Sequence, residues 1–248
     1  IRWIEQYDLR IGVWYPSDEP ETEVRFGPFD AKLSMDAAPD VTGKYQVVLF
    51  SHGNLGRARN HYLTAKALAR AGFIVIAPLH AADHLMSGDE TAVVLDWRVT
   101  ELRFALEAVM QRDEFRSLLD LSRIHALGYS LGALTALNAA GASFDIPAAD
   151  RHCATVSDPA FCDLPPFYVR WWVNRKRGTK TPTFGRTVEP VHFSLGFVTG
   201  GVAAVAPVGQ GVGVDANIFT GRRVLVIGLD DDDVTIPEFH AANIAKVF

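Results

Sequence analysis

Five residues, Gly128-Tyr129-Ser130-Leu131-Gly132, constrain this chain more than any others. They follow the apolar run Ile124-His125-Ala126-Leu127 and precede Ala133-Leu134-Thr135-Ala136-Leu137, a good helix former. The pattern Gly-x-Ser-x-Gly therefore falls between a strand and a helix. A serine in so tight a turn occupies strained backbone, and side chains two residues to either side would clash. Such a turn lifts the Ser130 hydroxyl clear of a sheet. It also aims the first helical N–H groups, that of Leu131 among them, at the point where an oxyanion would form.

A second motif lies upstream. Gln46-Val47-Val48-Leu49-Phe50 is a continuous apolar run that ends in Ser51-His52-Gly53-Asn54. Glycine and asparagine are ordinary turn residues. Paired with the Ser130 turn, this loop reads as the source of a second oxyanion N–H, that of Asn54, with Leu131 as its partner.

The remaining pattern fits one architecture. Leu9 to Tyr15 reads as a strand stopped by Pro16, and residues 17–45 as polar loop with at most one short strand. Arg59 to Ala71 reads as a helix closed by Gly72 at its C′ position. Phe73 to Ala77 is a buried strand, and Asp96 to Gln111 a helix with Val99, Leu102, Leu106, Val109 and Met110 on one face. Strand patterns return at Gly201–Pro207 and Arg222–Gly228, and Pro237 to Phe248 reads as a helix. Continuous apolar strands alternating with helices imply a mostly parallel sheet covered on both faces, an α/β fold. At 248 residues, with 48% hydrophobic and 21% charged residues, the chain is expected to form a single domain over 1–248. A net charge of −5 gives no reason to expect nucleic acid, and no apolar run has the length of a membrane span.

The alternation breaks over 142–200, which reads as a cap-like insertion after the Ser130 helix. It contains Trp171-Trp172 flanked by Arg170 and Arg175, either an acyl-pocket lining or a packed helix with a basic end. It also holds both cysteines, Cys153 and Cys162. Their spacing excludes a CxxC metal or redox site. A disulfide between them would close a short loop and imply an oxidising compartment, periplasmic or secreted; the alternative is two free thiols.

Val13-Trp14-Tyr15-Pro16, Phe50-Ser51-His52-Gly53-Asn54 and Gly128-Tyr129-Ser130-Leu131-Gly132 together resemble the bacterial dienelactone hydrolase-like group of α/β-hydrolases. That group is similar to platelet-activating-factor acetylhydrolases, secreted lipases and cutinase-like polyesterases. The resemblance covers about residues 9–140 and 200–240. True dienelactone hydrolases use cysteine where this chain has Ser130, so the group's name does not set the substrate. The resemblance implies a triad in the order Ser, acid, His. The acid belongs after the strand ending at Gly228, where Asp230-Asp231-Asp232-Asp233 stand. Counting from the strand end selects Asp231, and counting back from Pro237 selects Asp233 as the alternative. Four consecutive carboxylates lack the alternating spacing and glycine of a calcium loop.

The resemblance puts the general-base histidine after one further helix and strand, so the final strand and its histidine loop are expected beyond Phe248. His240 follows the acid, but as a helical residue it is expected to face outward or pack rather than reach Ser130. His52 reads as structural; His80 and His84 follow a neighbouring strand end and His192 lies in the insertion, each either a stand-in for the base or a polar loop residue; His61 and His125 have no catalytic logic, and His152 neighbours Cys153 in a loop. The expected activity is hydrolysis of a small-molecule or lipid carboxylic ester through an acyl-enzyme on Ser130, with no metal and no organic cofactor. Rival readings are a non-catalytic hydrolase fold that binds a ligand, and an acyltransferase. The sequence does not set the oligomeric state.

Overall fold

The computed structural model describes residues 1–80, 94–162, 191–192, 197–210, 212–213 and 219–248. The Trp171-Trp172 cluster and His84 lie outside them. The strands are β1 (Arg2–Gln6), β2 (Leu9–Trp14), β3 (Thr22–Phe26), β4 (Phe29–Leu33), β5 (Tyr45–Ser51), β6 (Phe73–Pro78), β7 (Leu119–Tyr129), β8 (Ser143–Phe144), β9 (Val191–His192), β10 (Val202–Val205), β11 (Val212–Gly213) and β12 (Val224–Ile227). The helices are α1 (Tyr62–Arg70), α2 (Val94–Met110), α3 (Asp113–Arg116), α4 (Leu131–Ala139), α5 (Ile146–Thr155), α6 (Pro159–Cys162) and α7 (Ala241–Ala245).

Seven strands form the main sheet in the order β1-β2-β6-β5-β7-β10-β12. β2 is antiparallel to both β1 and β6, and the five from β6 to β12 run parallel. Alternate residues of the central strands enter two separate cores. Val47, Leu49, Ile74 and Ile76 join Val99, Leu102 and Val109 of α2 and Leu134 and Leu137 of α4 on one face. Val48, Phe50, Val75 and Ala77 join Ala65 and Ala69 of α1 on the other, where the β3–β4 ribbon adds Phe26, Ala31 and Leu33. The central strands β5 and β6 are covered on both faces, so Val47–Phe50 and Phe73–Ala77 are apolar at every position instead of at every second one.

The structure amends the sequence reading at several ends. β1 went unread, and the segment 17–45 carries the β3–β4 hairpin, whose turn uses Gly27 at φ +68°. α1 starts at Tyr62 rather than Arg59, and Gly72 follows it at φ +87° as expected of a C′ residue. The last helix is only Ala241–Ala245, which leaves His240 at its N-terminal boundary. In the region expected to cap the fold, β8 pairs antiparallel with β9 and β11, and α5 and α6 are joined by a Cys153–Cys162 disulfide with Cα atoms 5.5 Å apart.

Register places the candidate site. Ser51 pairs with Gly128, and Val205 with both Tyr129 and Ile227. Four parallel strands thus end at one level, and the loops after them converge there. Crevices at the carboxyl ends of parallel strands are where open α/β sheets hold ligands.

Candidate functional site

Ser130 is the hinge between β7 and α4. Its backbone has φ 54° and ψ −121°, a region that L-residues rarely adopt. Hydrogen bonds hold it there: Ser130 N–H donates to the Val205 carbonyl at 2.9 Å, and Ala133 N–H donates to the Ser130 carbonyl at 2.9 Å. The flanking glycines are set by backbone contact. A Cβ on Gly128 would stand 2.5 Å from Ala133 N, and one on Gly132 would stand 2.5 Å from the His52 carbonyl oxygen. The loop after β5 passes beside the same turn, since a Cβ on Gly53 would lie 3.5 Å from that of Ser130.

These loops wall a cavity of about 1040 Å³. Its lining includes Gly53, Asn54, His61, Tyr129, Ser130, Leu131, Phe161, Val208, the run from Gly228 to Thr235, and His240. The structure therefore brings together Ser130, Asn54, Leu131, Asp231 and Asp233, the residues singled out in the sequence.

The four aspartates differ. Asp231 and Asp233 are exposed, whereas Asp232 is partly buried. Asp232 Oδ1 accepts the N–H groups of Val234 and Thr235 at 2.9 and 2.8 Å, and its Oδ2 accepts the Thr235 hydroxyl at 2.6 Å. Burial raises the pKa of Asp232, but the hydrogen bonds from Thr235 and Val234 outweigh it and leave the carboxyl below its usual range. Asp232 thus shapes the loop that carries its neighbours.

Of the two expectations for His240, facing outward or packing, the structure shows the second, although the residue stands before the helix and not in it. Because the helix begins one residue later, its ring turns inward, is 1% exposed and forms part of the cavity wall. Its Nδ1 accepts the Gly209 N–H at 3.1 Å, and its Nε2 lies 3.1 Å from Asp158 Oδ2. The same carboxylate oxygen is 2.8 Å from His152 Nε2. Asp158 is fully buried inside the loop closed by the disulfide, and Phe161 packs against both imidazoles. Burial lowers the pKa of His240, Asp158 opposes that, and the net shift is downward. The Nδ1 lone pair is taken up by the Gly209 N–H, whereas Nε2 lies against the Asp158 carboxylate without the alignment of a hydrogen bond. Sequence reasoning missed this pairing because Asp158 and Gly209 meet His240 only through tertiary packing.

Four further histidines have side-chain partners, and His192 is placed by its backbone pairing with Ser143. His80 is fully buried between Ser51 and Glu101, and His52 lies beneath its own loop, with Nδ1 2.7 Å from the Gly53 carbonyl. His125 bridges Gln46 and the Gly201 N–H. His61 has φ 57°, lines the cavity, and packs its ring 4.6 Å from that of Tyr129; burial lowers its pKa. Among the described residues no group of three or more histidine, cysteine or acidic side chains is arranged to hold a metal.

The model of the chlorophyllase family matches residues 25–148, half of the chain, a stretch that includes the Asn54 loop and the Ser130 turn. The chain belongs to the chlorophyllase family. Together with the sheet topology, this membership makes the fold that of an α/β-hydrolase of esterase type. A solved structure similar to this family member is a ferulic acid esterase from Streptomyces cinnamoneus, 22% identical, with a TM-score of 0.44. The alignment covers 53% of this chain and 47% of that enzyme, so the chain spans less than half of its length. No curated protein matches the chain.

Proposed function

We propose that the protein is a serine carboxylic-ester hydrolase acting on a small-molecule or lipid ester. The observation that carries this reading is the strained Ser130 at the carboxyl end of β7, set in a cavity wall beside the Asn54 loop. Strain of this kind is retained where it presents a side chain for chemistry. In the proposed reaction Ser130 Oγ attacks the ester carbonyl, the N–H groups of Asn54 and Leu131 hold the oxyanion, and the alcohol leaves. Water then releases the acid from the acyl-enzyme.

The base that takes the Ser130 proton is assigned to a histidine beyond Phe248. His240 is set aside because its Nδ1 accepts the Gly209 N–H and its Nε2 lies against the buried Asp158 carboxylate. Asp231 is assigned as the carboxylate that orients this base, with Asp233 as the alternative. Both are exposed on the loop after β12, whereas Asp232 is committed to Thr235. Residues 142–200 are read as a cap on a single domain, and the disulfide supports an oxidising, periplasmic or secreted setting.

The test uses the full-length protein. Ser130→Ala is expected to abolish hydrolysis of short p-nitrophenyl esters and covalent labelling by a fluorophosphonate. Near-wild-type turnover in Ser130→Ala refutes the assignment, and a wild-type protein that neither labels nor turns over supports a ligand-binding role instead.

A further inference from the structure

Outside the cavity lining lies a second cluster of polar side chains: Ser51, His80, Arg98, Glu101 and Thr135, each 5% exposed or less. The hydroxyl of Ser51 donates to His80 Nε2 at 2.9 Å, and His80 Nδ1–H donates to Glu101 Oε2 at 2.7 Å. Burial, reinforced by the nearby Arg98 charge, holds the pKa of His80 well below its usual value, which fits this neutral tautomer. The spacing is that of a Ser–His–acid relay, but all three side chains are buried. Buried polar groups at this density cost stability unless they fix a geometry that matters.

The geometry they fix is the distance between two loops. Arg98 Nη2 donates to Ser51 Oγ at 3.2 Å and to the His52 carbonyl, both at the end of β5. Arg98 Nε donates to Thr135 Oγ1 at 3.1 Å, on α4. Thr135 in turn donates its hydroxyl proton to the Leu131 carbonyl at 3.1 Å. One guanidinium therefore ties the backbone that leads into Asn54 to the first turn of the helix that presents the Leu131 N–H. His80 braces the first of these loops twice. Its ring accepts the Ser51 proton, and its N–H donates to His52 Nε2 at 3.2 Å. Glu101, on the same helix as Arg98, fixes the His80 tautomer.

We infer that Arg98, bonded to both Ser51 and Thr135 and supported by His80 and Glu101, is a positioning residue that sets the separation of the two oxyanion N–H donors. The inference rests on the serine-hydrolase reading above. Neither Arg98 nor Thr135 touches substrate. They act on the transition state through the placement of Asn54 and Leu131, because a tetrahedral oxyanion needs both donors at hydrogen-bonding distance at once. Lysine cannot replace the fork, since an ammonium lacks the planar spread that spans three acceptors.

The experiment compares Arg98→Lys, Thr135→Val and Thr135→Ser in the full-length protein, with active sites counted by fluorophosphonate titration. Arg98→Lys is expected to lower kcat per titrated site by about 30-fold, less than the loss on deleting a donor outright. Thr135→Val, nearly isosteric, is expected to lower kcat by about fivefold. KM stays within about twofold in both, because the ground-state ester does not use the full oxyanion geometry. Affinity for an alkyl boronic acid, whose adduct mimics the tetrahedral state, falls in step with kcat. Thr135→Ser keeps the hydroxyl and recovers both. A merely structural role would lower the melting temperature and the yield of titratable sites without changing kcat per site or boronate affinity, and that result overturns the inference. Should Arg98→Lys fail to accumulate, Thr135→Val decides alone. A wild-type protein that does not label at all is a failure of the hydrolase reading, distinguishable because it precedes any comparison of variants.

Discussion

Replacing Gly132 by alanine tests how the site is built. Gly132 lies in α4, whose nine residues are all buried, so the helix has no free direction in which to move. Its backbone is not in the left-handed region, and alanine is by itself the better helix former by about 1 kcal/mol. The added methyl would overlap the Ser51 carbonyl oxygen and stand 2.5 Å from both the His52 carbonyl oxygen and the Ser51 carbonyl carbon. A relaxed carbon–oxygen contact needs roughly 1 Å more. The obstructing atoms are backbone of β5 and its loop, which cannot rotate away, so the cost sits near the upper end of the ~1–3 kcal/mol typical of overpacking. Net of helix propensity, the variant should lose about 2 kcal/mol. With a urea slope of about 3 kcal/mol/M, the midpoint falls by roughly 0.7 M. A displacement near 1 Å between α4 and the Asn54 loop should also cut ester turnover by about 100-fold. Gly43→Ala is the control: nothing lies within 4 Å of its Cβ and its φ is not positive, so both quantities should stay near wild type. A Gly132→Ala protein with unchanged midpoint and turnover would refute the claim that backbone contact sets this geometry.

Three other outcomes are expected. Asp231→Asn should lower kcat by about 10⁴-fold through loss of histidine orientation, whereas Asp232→Asn should act mainly on thermal stability by loosening its hold on Thr235; if Asp233→Asn is the damaging change, the acid is one position pair further along the loop. His61, His80, His125 and His240 all have folded pKa values below that of an unfolded histidine, so the unfolded chain binds more protons and stability must fall as pH drops below about 6.5. For fully buried His80 the slope is about 1.4 kcal/mol per pH unit, and urea midpoints that stay flat from pH 8 to pH 5 would contradict it. Thiol titration of denatured, unreduced protein should find no free cysteine, and reduction of Cys153–Cys162 should cost about 2–3 kcal/mol for a loop of this size.

Much of this was legible in the sequence because it is local. The Ser130 turn, the continuous apolar strands and Gly72 behind α1 each announce themselves within a few residues. The β3–β4 ribbon did not, since Thr22, Glu23 and Arg25 leave it mostly exposed and Pro28 sits in its turn. A ribbon that covers a sheet buries only Phe26, Ala31 and Leu33, too few to show a strand pattern. His240 was placed inside a helix because the sequence pattern starts that helix at Pro237, four residues before the Ala241 at which it begins. The Arg98 cluster left a signal that the apolar stripe masked. Arg98, Glu101, Leu102 and Ala105 recur at i, i+3, i+4 and i+7, so two charges occupy the buried face of α2. A charged pair on such a stripe marks a buried network, whose partners on β5, after β6 and on α4 only the fold supplies.

The common level at which β5, β7, β10 and β12 end has a consequence for how such a protein can change. The pairings of Ser51 with Gly128 and of Val205 with Tyr129 and Ile227 are fixed by ladder hydrogen bonds, which are indifferent to side-chain identity. Each wall of the cavity therefore springs from its own anchored strand. A lengthened or recast segment after Ile227 would alter the acidic wall without moving the Asn54 loop, and a change after Ser51 would leave the aspartates where they stand. The Asn54 loop with the Ser130 turn, and the segment after β10 with that after β12, are two separable units of variation, so selection or design can revise the acidic side of the pocket without the oxyanion side.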